Sequence, residues 1–438
     1  MKLFRGLISF LLACLLLIVT SEPAWAFCGF YVAKADSKLY NKASQVIIAR
    51  DGDRTVLTMA NDYQGNVQDF ALVVPVPVVL QKEQVHVSDP KIIERLDAFS
   101  APRLVEYFDS NPCDIYRIRP LNEAVPAPTT QSADRQRRQD ANALGVTIEQ
   151  QFTVGEYDIL ILSAKESNGL ETWLKQNGYK IPQGASQVLH PYIKDNMKFF
   201  VAKVNLKEFD KTGFNSLRPL MMAFESPKFM LPIRLGTINS QGEQDLIVYL
   251  LSPKGQIQLT NYRGVKVPSD VDIPEFVQQE FGGFYKAMFQ KAYEREGKKV
   301  AFVEYAWNMN NCDPCSAEPL NQEELKGAGV FWLTPDRGAN VFITRLHVRY
   351  NSKTFPQDLR FQETGDTESF QGRYVIRHPY KGEMNCDRAQ EYLRSVKERQ
   401  EKEAQTLANL TGWDINNIRS KINFVKSESV PWWRKLWQ

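Results

Sequence analysis

Cys312-Asp-Pro-Cys315 sets two thiols three positions apart, a spacing that suits three kinds of chemistry. In thiol–disulfide exchange the first sulfur sits near a helix N-terminus, where backbone N–H groups stabilise the thiolate and lower its pKa. In a metal site the pair is half of a tetrahedral set, which His378 and Cys386 could complete. In an exported protein the same pair is a structural bridge. The flanks discriminate. A strand-like run over residues 300–307 precedes the motif, as exchange chemistry would require, but residues 308–311 intervene and Pro319 follows closely. No thioredoxin-like βαβ pattern surrounds it. The metal set lacks a second close pair, and nothing fixes its long intervening spacing. The reading adopted is a structural bridge, with no bound metal or cofactor. A thiol–disulfide oxidoreductase using Cys312 and Cys315 is the alternative.

Three further cysteines, Cys28, Cys113 and Cys386, follow the N-terminal segment and are candidates for disulfides as well. Cys28 paired with Cys113 would pin the N-terminal strand to the first helical region. Cys386 would then reach the Cys312/Cys315 loop. Spacing alone leaves the connectivity open.

A second candidate is charge on a strand. Over residues 340–350, Phe342, Leu346, Val348 and Tyr350 fall on one side, and Arg345, His347 and Arg349 on the other. Three potential cations in a row repel unless acids, an anion or water separate them. Arg373 and Arg377 share a face of a later strand-like segment. If the two strands are neighbours, the five residues make a basic patch suited to a carboxylate or phosphate, which arginine binds in a bidentate way. The plainer alternative is a solvated sheet face neutralised by Asp358 or Glu363. Other signatures are missing: the chain has no HExxH, no GxSxG and no phosphate-binding glycine loop. Its four histidines, His86, His190, His347 and His378, are widely scattered. A binding or structural role therefore leads over an enzymatic one, with an anionic ligand or an envelope protein as partner. A formal net charge of +3 argues against a general nucleic-acid binder.

The ends give the compartment. Lys2 and Arg5 precede an apolar run over residues 7–20, and Ala24-Trp25-Ala26 follows, which predicts a signal peptide cleaved after Ala26. Neither Cys14, within that run, nor Cys28, behind bulky Phe27, suits lipidation. The mature chain is expected to be periplasmic or extracellular. At the far end, Trp432, Trp433 and Trp437 alternate with Arg434 and Lys435. Such a segment makes at most a peripheral membrane contact, or docks its indoles on the protein itself.

The elements that must position these residues are partly legible. Hairpins are predicted around Asp51-Gly52-Asp53, around Gly155-Glu156, and around Pro253-Lys254. Residues 70–80 read as a strand whose Pro75 and Pro77 favour an edge or a strand end. A helix starts at Ser88-Asp89-Pro90 and runs toward Phe99. Another covers 169–177, with Gly178 ending it, and a longer one covers 275–296, where Gly282-Gly283 could break it. The clearest helix spans 387–410 and stops at Gly412. The fold class is α+β: mostly antiparallel sheet with hairpins, interspersed helices and a long C-terminal helix. The organisation read from the sequence is a signal peptide (1–26), an N-terminal α+β lobe (27–120), a flexible loop (121–144), a β-rich main region (145–386), the long helix (387–412) and an aromatic, basic tail (413–438).

Several landmarks together resemble a bacterial exported family of unknown function, numbered 2330. They are Phe27-Cys28-Gly29-Phe30-Tyr31-Val32, Leu72-Val-Val-Pro75-Val-Pro77, Trp173-Leu-Lys-Gln-Asn-Gly178-Tyr179 with Pro182, Cys312-Asp-Pro-Cys315, and Thr344-Arg-Leu-His347-Val-Arg-Tyr350. The resemblance extends over roughly the whole mature chain. It implies an extracytoplasmic protein and transfers no catalytic residue.

Overall fold

The computed structural model describes residues 30–31, 40–41, 44–60, 63–64, 71–114, 146–177, 184–214, 217–238, 242–311, 317–334 and 340–425. Ala26, Cys28, residues 121–144, Cys312, Cys315 and Trp432, Trp433 and Trp437 lie outside that set, and with them the expectations placed on them.

A nine-stranded mixed sheet forms the centre. Its strands are β1 (Ser44–Asp51), β2 (Arg54–Ala60), β3 (Val85–Val87), β4 (Leu220–Glu225), β5 (Gln244–Ser252), β6 (Arg263–Lys266), β7 (Val300–Asn308), β8 (Phe342–Tyr350) and β9 (Phe370–Gln371). They run in the order β6-β7-β8-β5-β1-β2-β4-β3, with β9 added beside β7. β1 lies parallel to β5 and β6 parallel to β7, while the remaining pairs are antiparallel. The sheet thus draws strands from both sides of residues 121–144.

The helices are α1 (Pro90–Ser100), α2 (Ser167–Gln176), α3 (Ala185–Lys194), α4 (Leu206–Thr212), α5 (Phe281–Arg295), α6 (Gln322–Gly327), α7 (Arg388–Thr411) and α8 (Ile415–Lys421). One face of the central sheet packs on a five-stranded sheet that includes Ala71–Val76, Lys198–Val204, Tyr157–Ala164 and Val146–Val154. Val46, Leu57, Leu246, Leu346 and Val348 meet Val74, Ile159 and Phe200 in that interface. The opposite face is covered by α1 and α6 at one end and by α5 at the other. The sheet is therefore wet on neither face, which explains why β8 is buried over nearly its whole length.

Local chemistry accounts for the elements that were legible. Asp51 pairs with Arg54 across Gly52-Asp53, and Val154 with Tyr157 across Gly155-Glu156, both two-residue turns. Gly155 has φ +52°, and a Cβ there would stand 2.8 Å from Val87 Cγ1, so the turn requires glycine. Asp89 caps α1 by accepting from the Lys91 N–H at 2.9 Å, with Pro90 in the first turn. Gly412, at φ +78°, ends α7 as expected. Ala71–Val76 lies between Phe30–Tyr31 and Lys198–Val204 in the five-stranded sheet, so it is not an edge strand; Pro75, paired with Phe199, is its penultimate residue and Pro77 falls just past its end.

Two local expectations are corrected. Ile257–Leu259 does not fold back on β5 but pairs with Leu359–Glu363, so Pro253-Lys254 links two sheets. The predicted 275–296 helix opens as a 3-10 turn, Glu275–Gln278, and the break falls at Gln279-Glu280, while Gly282 and Gly283 sit inside α5. α2 ends at Gln176, and Gly178 lies outside the described residues. A small sheet of Arg103–Phe108, Arg373–His378 and Val271–Asp272 is wholly parallel, a feature the hairpin pattern did not announce.

Candidate functional site

The alternation along β8 is as the sequence predicts, but the basic side meets a set of acids, two of them buried, instead of water. Arg345 and His347 are 5% and 9% exposed. The key partner is Glu304 on β7. Val303 pairs with Leu346 and Tyr305 with Arg345, so Glu304 is the extra residue of a β-bulge between them. The bulge turns its carboxylate into the interior, where it is 1% exposed. There it accepts from Arg345 Nε at 2.6 Å, from His347 Nδ1 at 2.8 Å, and from the Tyr285 hydroxyl of α5. Asp245 on β5 faces Arg349 in register and takes both its Nε and its Nη2 at 2.8 Å. It also receives His347 Nε2 at 3.0 Å. Asp97 of α1 completes the set, accepting from Arg345 Nη1 at 2.7 Å and from the Tyr249 hydroxyl at 2.9 Å.

Three cations thus stand against three carboxylates. Both imidazole nitrogens of His347 face carboxylate oxygens, and only the doubly protonated ring can donate to both. Burial opposes that charge, but Glu304 and Asp245 outweigh it and raise the His347 pKa. Burial alone would raise the carboxyl of Glu304; the charges of His347 and Arg345 override it and hold it at about 2. Asp245 is likewise pushed up by burial, and is brought well below the ordinary carboxylate range by His347 and Arg349. Phe289 of α5 closes the site, stacking on His347 at 3.9 Å between ring centroids, with the Arg349 guanidinium 4.8 Å above the same ring. The arrangement ties β5, β7 and β8 to α1 and α5. For an anion to reach Arg345 or His347, it would have to displace Glu304 or Asp245, which are buried, or Asp97, which covers Arg345 from the surface side.

Arg373 and Arg377 are elsewhere. Their strand belongs to the small parallel sheet, not beside β8, so the five basic residues do not form one patch. Arg373 pairs with Asp270 and Arg377 with Asp272, the latter at 2.9 Å. Asp358 and Glu363, expected as neutralisers of the β8 face, serve other partners: Asp358 takes Arg234 and Tyr192, and Glu363 takes Lys254. The acids that do neutralise it, Asp97, Asp245 and Glu304, were missed. They come from three distant stretches, and only Asp245, just before an apolar run, carried any local hint. His378 lies between Glu275 and Glu106, at 2.8 and 2.7 Å, with its ring stacked on Phe108. Its two nitrogens point to separate acids, so the three groups do not converge. Among the described residues, no three of His, Cys, Asp and Glu are placed to hold a metal ion.

The disulfide connectivity differs from the expected one. Cys113 bonds Cys386, not Cys28, with 5.8 Å between their Cα atoms and 273 residues between them in sequence. The cause is the parallel sheet. Arg103–Phe108 and Arg373–His378 run side by side, so the segments that follow emerge at the same end, joined first by the Asp109 N–H to the His378 carbonyl. Cys386 is therefore not the partner of the Cys312/Cys315 loop.

The model of DUF2330, described as an uncharacterized protein conserved in bacteria, matches residues 22–362, and the chain belongs to this family. The match stops short of the C-terminal part of the chain: Arg373–His378, α7 and α8 lie beyond it. No curated protein and no solved structure matches the chain.

Proposed function

We propose that this protein is exported and acts outside the cytoplasm as a disulfide-locked binding or structural protein of the cell envelope, without catalysis of its own. The observation that carries the reading is the Cys113–Cys386 bridge, because bonds of this kind persist in oxidising compartments and are rare in the cytosol. The leader-like first 26 residues support the same address. No helix among the described residues is long and apolar enough to cross a membrane. The state of the β8 site supports a non-catalytic role: its carboxylates and cations are mutually paired, and none is left poised as a base or nucleophile.

The test is fractionation of the native bacterium, with thiols alkylated before lysis and peptides mapped without reduction. The expected result is an envelope or external protein that begins at Phe27 and yields a linked Cys113–Cys386 peptide. Full-length protein in the cytosolic fraction with both thiols alkylated would overturn the proposal.

A further inference from the structure

α8, beyond the family match, and the 3-10 turn Glu275–Gln278, within it, frame a surface cleft of about 300 Å³, at the lower end of the size range of small-ligand sites. Its floor is apolar. Ile418 is buried, and Phe276 and Trp413 pack partly buried against the core beneath α5 and α7. Its rim is polar, carrying Asp414, Asn417 and Lys421. We infer that this cleft is a binding site for a neutral sugar, one pyranose unit resting on the Trp413 indole.

Charge narrows the ligand class. The Lys421 ammonium stands 5.2 Å over the Phe276 ring and bonds both carboxylate oxygens of Glu280, at 2.7 and 2.8 Å. That ring already faces a cation, so a ligand ammonium gains little there. A ligand anion meets Asp414 and Glu280 and finds Lys421 already neutralised. A fully apolar ligand would strip water from the rim without replacing its hydrogen bonds. A pyranose fits what is left, since it has an apolar C–H face and an edge of hydroxyls that both donate and accept.

The rim can serve those hydroxyls. Asp414 commits Oδ1 to the N–H groups of Asn416 and Asn417, at 3.0 and 2.9 Å, and among the described hydrogen bonds its Oδ2 takes none. The exposed side chain of Asn417 offers a donor and an acceptor beside it. The indole supplies a large, rigid apolar surface. A rim built on one short helix and the turn before it holds these groups at fixed spacing.

The purified mature protein would be titrated with chitobiose and with maltose, following ligand resonances by saturation-transfer NMR and heats by calorimetry. Choline chloride and inorganic phosphate are the charged controls. The expected result is binding of at least one disaccharide with a dissociation constant in the millimolar range or below, and none of either control. Trp413→Ala should weaken binding at least about tenfold. Asn417→Ala, at an exposed position, should weaken it several-fold with an unchanged melting temperature, which keeps the test valid if the tryptophan variant misfolds. Failure of the folded wild-type protein to bind either disaccharide would overturn the inference. So would binding by both variants as tight as wild type, or choline binding tighter than sugar. These measurements use purified protein and stand whatever compartment the protein occupies.

Discussion

Glu304→Gln keeps the shape of the side chain and one acceptor oxygen, but removes the charge that Arg345 and His347 share. Two routes give the size of the loss. Removing one partner from a buried ion set costs about 3–5 kcal/mol, because the charges left behind stay desolvated. Independently, a carboxyl held at about 2 in the folded protein, against an ordinary 4.5, contributes about 3 kcal/mol at neutral pH. Glutamine retains one acceptor, so the lower figure applies. The assay is urea unfolding followed by tryptophan fluorescence, with the midpoint lowered and the slope unchanged. pH supplies the discriminating arm. The folded-state pKa of Glu304 is depressed, so its contribution is present above the unfolded value and is lost as pH falls from about 4.5 toward about 2. The gap between wild type and variant should therefore be full at pH 7 and narrow steadily on acidification through that window. A gap below about 1 kcal/mol at pH 7, or one that stays constant on acidification, would refute the claim that this charge holds the three strands to α5.

Glu403 of α7 should show the opposite slope. It is 4% exposed, and burial, opposed by Arg399 and reinforced by Asp272 and Glu275, pushes its carboxyl up to about 7. A raised carboxyl contributes stability below the unfolded pKa and loses it as pH rises through the folded one, so Glu403→Gln should match wild type near pH 4 and exceed it by about 2–3 kcal/mol at pH 8. A variant less stable than wild type at pH 8 in urea unfolding would contradict this. Cys113→Ser opens a bridge spanning 273 residues and should cost about 2–5 kcal/mol. Dithiothreitol should lower the wild-type melting temperature at least to that of the untreated variant; a variant that melts with wild type would show that the bridge contributes nothing.

What could be read from the sequence was local. The hairpins at Asp51–Arg54 and Val154–Tyr157 were legible because two residues and their turn chemistry specify each pairing. The caps of α1 and the stop of α7 were legible for the same reason. The third hairpin failed because Ile257–Leu259 finds its partner at Leu359–Glu363, about a hundred residues on, and no local pattern encodes that choice. The Cys113–Cys386 bond was hidden in the same way, behind a parallel pairing of strands 270 residues apart. The alternation along β8 was correct and its interpretation was not. Cations at every second position signal a solvated face, unless acids from other strands and helices bury them in pairs.

That alternation has a further consequence for the fold. Leu346, Val348 and Tyr350 lie in the apolar interface with the five-stranded sheet, while Arg345, His347 and Arg349 face Glu304 and Asp245. A slip of β8 by one residue would exchange the two sets, driving three cations into hydrocarbon and leaving Glu304 and Asp245 buried without partners. Both errors are costly, and they arise together, so the charges fix the register of a strand that is covered on both sides. A strand apolar on both faces would tolerate the slip far better, having no side that rejects the wrong residues. The bulge at Glu304 makes the constraint stricter, since it places a single carboxylate between two neighbouring cations of β8 and at no other register. Residues that look like chemistry in the sequence are thus spent on specifying the central sheet, and the groups free to meet a ligand stand outside it, along α8.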